Sequence, residues 1–160
     1  MLRLVCLAAS WAVAWPLHAG STLAPERIYA QELVNQTIAA HPELLVVAMH
    51  VTPPADRENV IIASNIGRIG KKADAEDRKV IDTGETLAKV NQNGDRFEVE
   101  LVLHDASRRS IGALAIVFPY KAGDDPSSFE ERAIAIRDQL GVRIADVASL
   151  MRPYPSSTMK

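Results

Sequence analysis

The segment Ser64-Asn65-Ile66-Gly67-Arg68 places two hydrogen-bonding side chains and a guanidinium beside a flexible backbone. An arginine can hold a carboxylate through two parallel hydrogen bonds. Ser64, Asn65 and Arg68 are therefore candidates for an anion-binding site. The alternative is a solvated turn in which the serine and the asparagine cap backbone groups, and the sequence leaves both interpretations open.

Four more side chains are candidates for the same ligand site. Lys89 and Arg96 lie on or beside predicted strands, where each can complement an acidic ligand. His50 lies near the end of a predicted buried strand, and Tyr120 can close a pocket at the end of another. The alternatives are charges that reach into water from a sheet edge, a buried or capping histidine, and a tyrosine packed in the core with a hydrated hydroxyl.

The sequence does not favour a metal site or a cofactor. It contains no His-x-x-x-His and no Glu-x-x-His pattern, and a metal site needs several ligands that converge at about 2 Å. Asp74, Glu76 and Asp77 lack the spacing and the glycine of a calcium-binding loop. We expect these three carboxylates to form a solvated helix face, and we expect no cofactor.

The sequence also gives little support for an enzyme. It has no Gly-x-Ser-x-Gly pattern around a nucleophile, and Glu98 and Glu100 resemble the wet face of an ordinary strand. We therefore expect a binding protein without catalytic residues. A cluster of His50 with a carboxylate in a solvent-open cleft would favour an enzyme instead.

The first 19 residues match a secretory signal peptide. Arg3 supplies a positive start, residues 4–15 form an uncharged apolar run, and Leu17-His18-Ala19 resembles a signal-peptidase site. The run is shorter than the roughly 20 residues of a membrane-spanning helix, so an uncleaved anchor is the alternative. We expect a periplasmic or secreted mature protein that begins near Gly20 or Ser21 and does not insert into the membrane.

Removal of the signal segment changes the inventory of reactive groups. Cys6, Trp11 and Trp15 all belong to that segment, so the expected mature chain has no disulfide and no thiolate nucleophile. The net charge of the whole chain is −2, with acidic and basic residues interspersed. This pattern does not favour a nucleic-acid partner or an anionic membrane. A mature length of roughly 140 residues suits one domain, over residues 20–152.

The periodicity of apolar residues predicts five strands and three helices. Phe97, Val99, Leu101 and Leu103 alternate with polar residues, which is typical of a strand with one buried face. Residues 111–118 are apolar on both faces and should form a central strand. The predicted elements are a helix over 25–41, strands over 44–51 and 59–64, a short helix over 73–82, strands over 87–91, 97–104 and 111–118, a helix from Pro126 that Gly141 kinks or divides, and a frayed tail over 153–160.

Antiparallel hairpins joined by tight turns, such as Asn93-Gly94, define a compact α+β domain. We predict an antiparallel central sheet of about five strands with N-terminal and C-terminal helices, and we expect the helices to pack on one face of it. The N-terminal helix can also mediate a homodimer, unless its own sheet uses the whole of its apolar face.

The stretch from Val60 to Phe118 resembles the extracytoplasmic PAS-like sensor domains, also called Cache or PDC domains. The resemblance covers about half of the expected mature chain. The features that carry it are, in order, Ile-Ile-Ala-Ser (61–64), Ile69-Gly70-Lys71, a short acidic helix before Thr83-Gly84, Phe97-Glu98-Val99-Glu100-Leu101, and Asp105 followed by Ile111-Gly112-Ala113-Leu114-Ala115-Ile116-Val117-Phe118.

The resemblance implies a pocket between the central sheet and the loop around residues 64–90. In such sensors the pocket holds a small ligand, often a carboxylate or an amino acid. Family members usually lie between two membrane spans and control an attached output domain. This sequence shows neither a second span nor an output domain, so we expect any signal to pass to a separate partner such as a membrane sensor protein.

Two functional hypotheses follow from these patterns. The first is a periplasmic sensor-type module that binds a small anionic metabolite and has no output domain of its own. The second is a periplasmic interaction module that docks on a membrane sensor through a helix face or a sheet face.

Overall fold

A computed structural model describes residues 27–154 of the chain. The predicted signal segment, Pro25 at the predicted helix start and residues 155–160 lie outside the described residues. In chain order the elements are β1 (Arg27–Ile28), α1 (Tyr29–Ala40), β2 (Val46–Val51), β3 (Val60–Ser64), α2 (Ala75–Thr83), β4 (Leu87–Val90), β5 (Arg96–His104), β6 (Ser110–Pro119), α3 (Pro126–Gly141), α4 (Val147–Leu150) and β7 (Pro153–Tyr154).

Five strands form one antiparallel sheet in the order β3-β2-β6-β5-β4, which confirms the predicted α+β fold. β6 lies at the centre of the sheet, as expected for a strand that is apolar on both faces. The turn at Asn93-Gly94 connects β4 to β5. Gly94 adopts a φ of 73°, and its backbone N–H donates to the Asn91 carbonyl at 3.1 Å.

One face of the sheet packs against α1 and α3 and forms the main hydrophobic core. Its members from β5 are the inward half of the predicted alternation: Phe97, Val99, Leu101 and Leu103. Phe129 of α3 packs on both Phe97 and Phe118, with ring centroids 5.2 Å apart in each pair. Because full burial of one such side chain contributes about 1.5–3 kcal/mol, this face supplies most of the stabilisation.

α2 lies on the opposite face of the sheet, so the prediction that the helices pack on one face is wrong for this element. Val80 is buried against Val102 and Ala113, which form a cluster separate from the main core. α2 begins at a reciprocal capping box between Asp74 and Asp77. Since α2 covers only one end of this face, the other end remains available for a cavity.

The end of the described chain is more ordered than predicted. Pro153–Tyr154 pairs with Arg27–Ile28 in antiparallel fashion, so the prediction of a frayed tail is wrong for these two residues. Gly141 ends α3, as predicted for a glycine that divides the last helix. None of the helices between residues 27 and 154 combines the length and the hydropathy that crossing a membrane requires.

Candidate ligand-binding site

A cavity with a volume of about 290 Å³ opens on the sheet face that α1 and α3 do not cover. The loop over residues 65–72, the first turn of α2, and strands β4 and β5 form its walls. Pockets for small molecules span about 300–1,000 Å³. A cavity at the lower end of this range suits a compound of a few heavy atoms better than a nucleotide.

Small apolar residues form the floor of the cavity. The strand register aligns the floor in two rows: Ala48, Ala115 and Glu100, and then Val46, Val117 and Glu98. The methyl side chains of Ala48 and Ala115 leave the space above the sheet open. The apolar part of this floor forms a cluster of its own, on the other side of the sheet from the main core.

The end of the cavity beside α2 brings together His50, Asp77 and Glu100. His50 is only 3% exposed and Asp77 only 6%. His50 Nδ1 lies 3.6 Å from Asp77 Oδ2, which is too far for a hydrogen bond. Asp77 Oδ2 instead accepts a hydrogen bond from the backbone N–H of Asp74 at 2.7 Å. We call His50, Asp77 and Glu100 the acidic cluster.

Two polar atoms of the acidic cluster are buried without a partner. Among the described residues, neither His50 Nδ1 nor Glu100 Oε1 makes a hydrogen bond. More than nine in ten buried polar groups in proteins are paired, and an unpaired one costs about 1–3 kcal/mol. Because both residues line the cavity, a bound molecule could satisfy these two atoms.

Burial controls the protonation of the acidic cluster. Burial raises the pKa of Glu100 to about 9, and the hydrogen bond with Asp77 and the charges of Asp77, Asp74 and Glu76 act in the same direction. Burial lowers the pKa of His50, and the Asp77 carboxylate offsets only part of this effect. At neutral pH, Glu100 therefore carries a proton and His50 is neutral.

The loop over residues 65–72 presents Arg68 to the cavity from a strained backbone. Arg68 has a φ of 65°, which is uncommon for a residue other than glycine. Backbone hydrogen bonds hold the loop against β3, from Gly70 N to the Ile61 carbonyl at 2.8 Å and from Ile61 N to the Lys71 carbonyl at 2.9 Å. Strained residues of this kind are concentrated at functional sites, so Arg68 remains a candidate for binding the anionic group of a ligand.

The lysines and the arginines around the cavity differ in their ion pairing. The two lysines are paired: Lys71 with Asp74 at 3.2 Å, and Lys89 with Glu76. Arg68 and Arg96 also line the cavity, and neither forms a salt bridge with another residue in the range 27–154. These two guanidinium groups are therefore the cations that can bind an anion without first breaking an existing pair.

The structure brings five of the seven predicted site residues to the cavity: His50, Ser64, Arg68, Lys89 and Arg96. Ser64 Oγ accepts a hydrogen bond from the backbone N–H of Ile66 at 3.2 Å, which is the turn-capping role considered as its alternative. The other four contribute an imidazole, two guanidinium groups and a paired ammonium.

Asn65 and Tyr120 do not line this cavity. The Asn65 amide is held by β2, because its Oδ1 accepts from Val47 N at 2.8 Å and its Nδ2 donates to the Leu45 carbonyl at 3.0 Å. Tyr120 lies on the opposite face of the sheet, where its ring packs against Phe97 at a centroid distance of 6.0 Å. We therefore exclude both residues from the candidate site.

Asp77 and Glu100 line the cavity, although the sequence patterns predicted solvated faces for both residues. Asp77 is buried because α2 rests on the sheet, so the prediction of a solvated helix face is wrong for this residue. Glu100 does occupy the polar half of the β5 alternation, but α2 and the cavity walls cover that half. The alternation of apolar and polar residues in β5 could therefore have revealed Glu100, because it placed this residue on the cavity face of the sheet.

His50 lies beside two carboxyl groups in an open cavity, which is the arrangement expected to favour an enzyme. A catalytic nucleophile is normally hydrogen-bonded to its base. Ser64, a hydroxyl that lines the cavity, accepts from the backbone of Ile66 instead. Within residues 27–154, no group of three or more His, Asp, Glu or Cys side chains is arranged to hold a metal ion.

The chain is an α+β domain with a five-stranded antiparallel sheet, α1 and α3 on one face and a cavity beside α2 on the other. A solved structure from Burkholderia vietnamiensis, described as a GAF sensor protein, matches with a TM-score of 0.53 at 13% identity, over 72% of this chain and 74% of that chain. The Agrobacterium tumefaciens repressor BlcR matches with a TM-score of 0.51 at 12% identity, over 79% of this chain and 69% of that chain. At these identities the likeness concerns the fold.

No protein-family model matches the sequence, and no curated protein matches it either.

Proposed function

We propose that this chain is a ligand-binding sensor module that holds a small metabolite between its sheet and α2. The observation that carries the proposal is a cavity of about 290 Å³ whose lining includes His50 and Glu100, each of which has a buried polar atom without a partner, Nδ1 and Oε1 respectively. A solid protein interior would pair these atoms or exclude them. The GAF sensor of similar fold supports the same function.

The ligand carries an anionic group that Arg68 and Arg96 bind. Both guanidinium groups line the cavity, and a guanidinium binds a carboxylate with two parallel hydrogen bonds. The apolar floor of Ala48, Ala115 and Val117 contacts the carbon skeleton of the same molecule. A small organic carboxylate matches both the charges and the volume.

We expect the variant Ala115→Phe to lose ligand binding while it keeps the fold. A phenyl ring at position 115 would rise from the centre of the floor and fill the cavity. The measurement is the shift in melting temperature of the wild type and the variant with a panel of carboxylates and amino acids at 5 mM. We expect at least one compound to raise the wild-type melting temperature by several degrees, and no compound to raise that of the variant by more than one degree.

The matched control is Ala115→Ser, which changes the same position by one small atom and should keep the response of the wild type. Arg68→Ala should weaken the binding of any carboxylate that responds by at least tenfold, since one charged hydrogen-bonding partner is worth roughly 1.5–3 kcal/mol. Equal shifts in the wild type and in Ala115→Phe would show that binding occurs elsewhere. A panel without any response would instead favour the protein-interaction hypothesis.

We propose further that the module works outside the cytoplasm, as a relative of the Cache sensors, and passes its signal to a membrane sensor. The support is the sequence of residues 1–19, with Arg3, the apolar run over 4–15 and the site at Leu17-His18-Ala19. A fusion of residues 1–30 to alkaline phosphatase, which is active only after export, should be active in bacteria. Replacing Leu7 and Val13 with arginine should abolish this activity, and an inactive parent fusion would refute the location.

A further inference from the structure

Three features single out the acidic cluster as a binding subsite of its own. His50 and Glu100, which carry its unpaired atoms, both line the cavity, its members come from three separate elements, and Asp77 is only 6% exposed. The atoms it offers a ligand are Glu100 Oε1 and the carboxyl oxygens of Asp77, next to the imidazole of His50. A cluster composed mainly of acceptors requires a donor.

We infer that the acidic cluster binds a cationic N–H group of the ligand, an ammonium or an amidinium, between Asp77, Glu100 and His50. This inference rests on the proposed function and makes it more specific. An ammonium has three donors and no acceptor, so it can meet Glu100 Oε1 and the Asp77 carboxylate together. With Arg68 and Arg96 holding the anionic group, the ligand is a small zwitterion.

Charge balance requires that binding of the cation also releases a proton from Glu100. The O–H bond of Glu100 breaks when the cation enters, the carboxylate keeps the electron pair, and the proton passes to the solvent. One positive charge replaces another, so the net charge of the subsite does not change. Because the pKa of Glu100 is raised to about 9, this proton is present throughout the neutral range, and affinity for the cation should rise with pH.

The other charged groups near Glu100 do not produce the same pH dependence. α2 and its cap contribute Asp74, Glu76 and Asp77, while β4 contributes Lys89, already paired with Glu76. Glu98 belongs to the next row of β5. On the remaining sides lie Lys71, which is paired with Asp74, Arg68, and His50, whose pKa burial lowers.

Isothermal titration calorimetry with matched compounds tests the inference. The probes are linear ω-amino acids of three to six carbons and the proteinogenic amino acids, each compared with the carboxylate that lacks the amino group. We expect at least one amino compound to bind at least tenfold more tightly than its desamino partner. Titrations at pH 7 in phosphate and in Tris, which differ in ionisation enthalpy, should show close to one proton released for each ligand bound.

Glu100→Gln keeps the shape of the side chain but has no proton to release, so it should bind the amino compound at least tenfold more weakly and release none. Glu131→Gln, at an exposed glutamate of α3 outside the cavity, is the control and should release a proton as the wild type does. Desamino carboxylates that bind as tightly as their amino partners would overturn the inference and leave the proposed function intact. Failure of every compound to bind would overturn both.

Discussion

The variant Gly112→Ala is expected to fold poorly or not at all. Gly112 lies on β6 directly opposite Val51 of the neighbouring strand β2, and its φ is 155°. A Cβ atom at this position would overlap the backbone carbonyl oxygen of His50 and would lie 3.0 Å from Val51 Cγ1. The two central strands would have to separate, at a cost above about 3 kcal/mol. Such a loss is a large part of the 5–15 kcal/mol that stabilises a typical domain.

Urea unfolding followed by circular dichroism measures this loss of stability. The control is Gly123→Ala, because Gly123 also has a positive φ, of 102°, but nothing lies within 4 Å of the new Cβ atom. We expect the control to lose only about 1–2 kcal/mol, which is the backbone cost of that conformation. Equal losses in both variants would show that conformation, and not the contact with His50, governs position 112.

Glu100→Gln is expected to stabilise the protein in a manner that grows with pH. In the unfolded chain Glu100 titrates near 4.5, whereas in the folded protein its pKa is about 9. A raised folded pKa gives stability that is complete below pH 4.5 and is lost as the pH rises toward 9, because the unfolded chain releases the proton first. Glutamine has no proton to release, so the variant does not suffer this loss.

We expect the two proteins to differ little at pH 4.5 and the variant to be more stable by about 1–2 kcal/mol at pH 8.5, since solvent screening reduces the full effect of the shift. The measurement is urea unfolding at intervals from pH 4.5 to pH 9. His50 is present in both proteins, so its own titration cancels in the difference. A difference that stays constant with pH, or one shared by the Glu131→Gln control, would contradict the assignment.

The sheet was largely predictable because local patterns specify it. Phe97, Val99 and Leu101 alternate with polar residues, and this period of two directly gives a strand with one buried face. Gly84 and Gly94 mark the end of a helix and a turn through their positive φ. By contrast, Pro153–Tyr154 is only two residues long, and its two residues pair with partners 125 and 127 positions away in the chain, so no local pattern could reveal it.

The site was less predictable because long-range packing decides which polar residues are buried. The sequence pattern around Asp77 is that of any polar helix start, and only the placement of α2 on the sheet buries its carboxylate. Asn65 shows the reverse case, since its amide is consumed by the backbone of β2. Arg68, by comparison, was found from its chemistry, because a guanidinium beside two glycines has few neighbours that could cover it.

The pairing of β1 with β7 fastens the first and last described residues side by side, with Arg27 opposite Tyr154. The chain therefore enters and leaves the described domain at two adjacent positions, residues 27 and 154. The whole domain can then be grafted into a surface loop of another protein, or its ends joined by a short bridge and new ends cut elsewhere, without stretching the sheet.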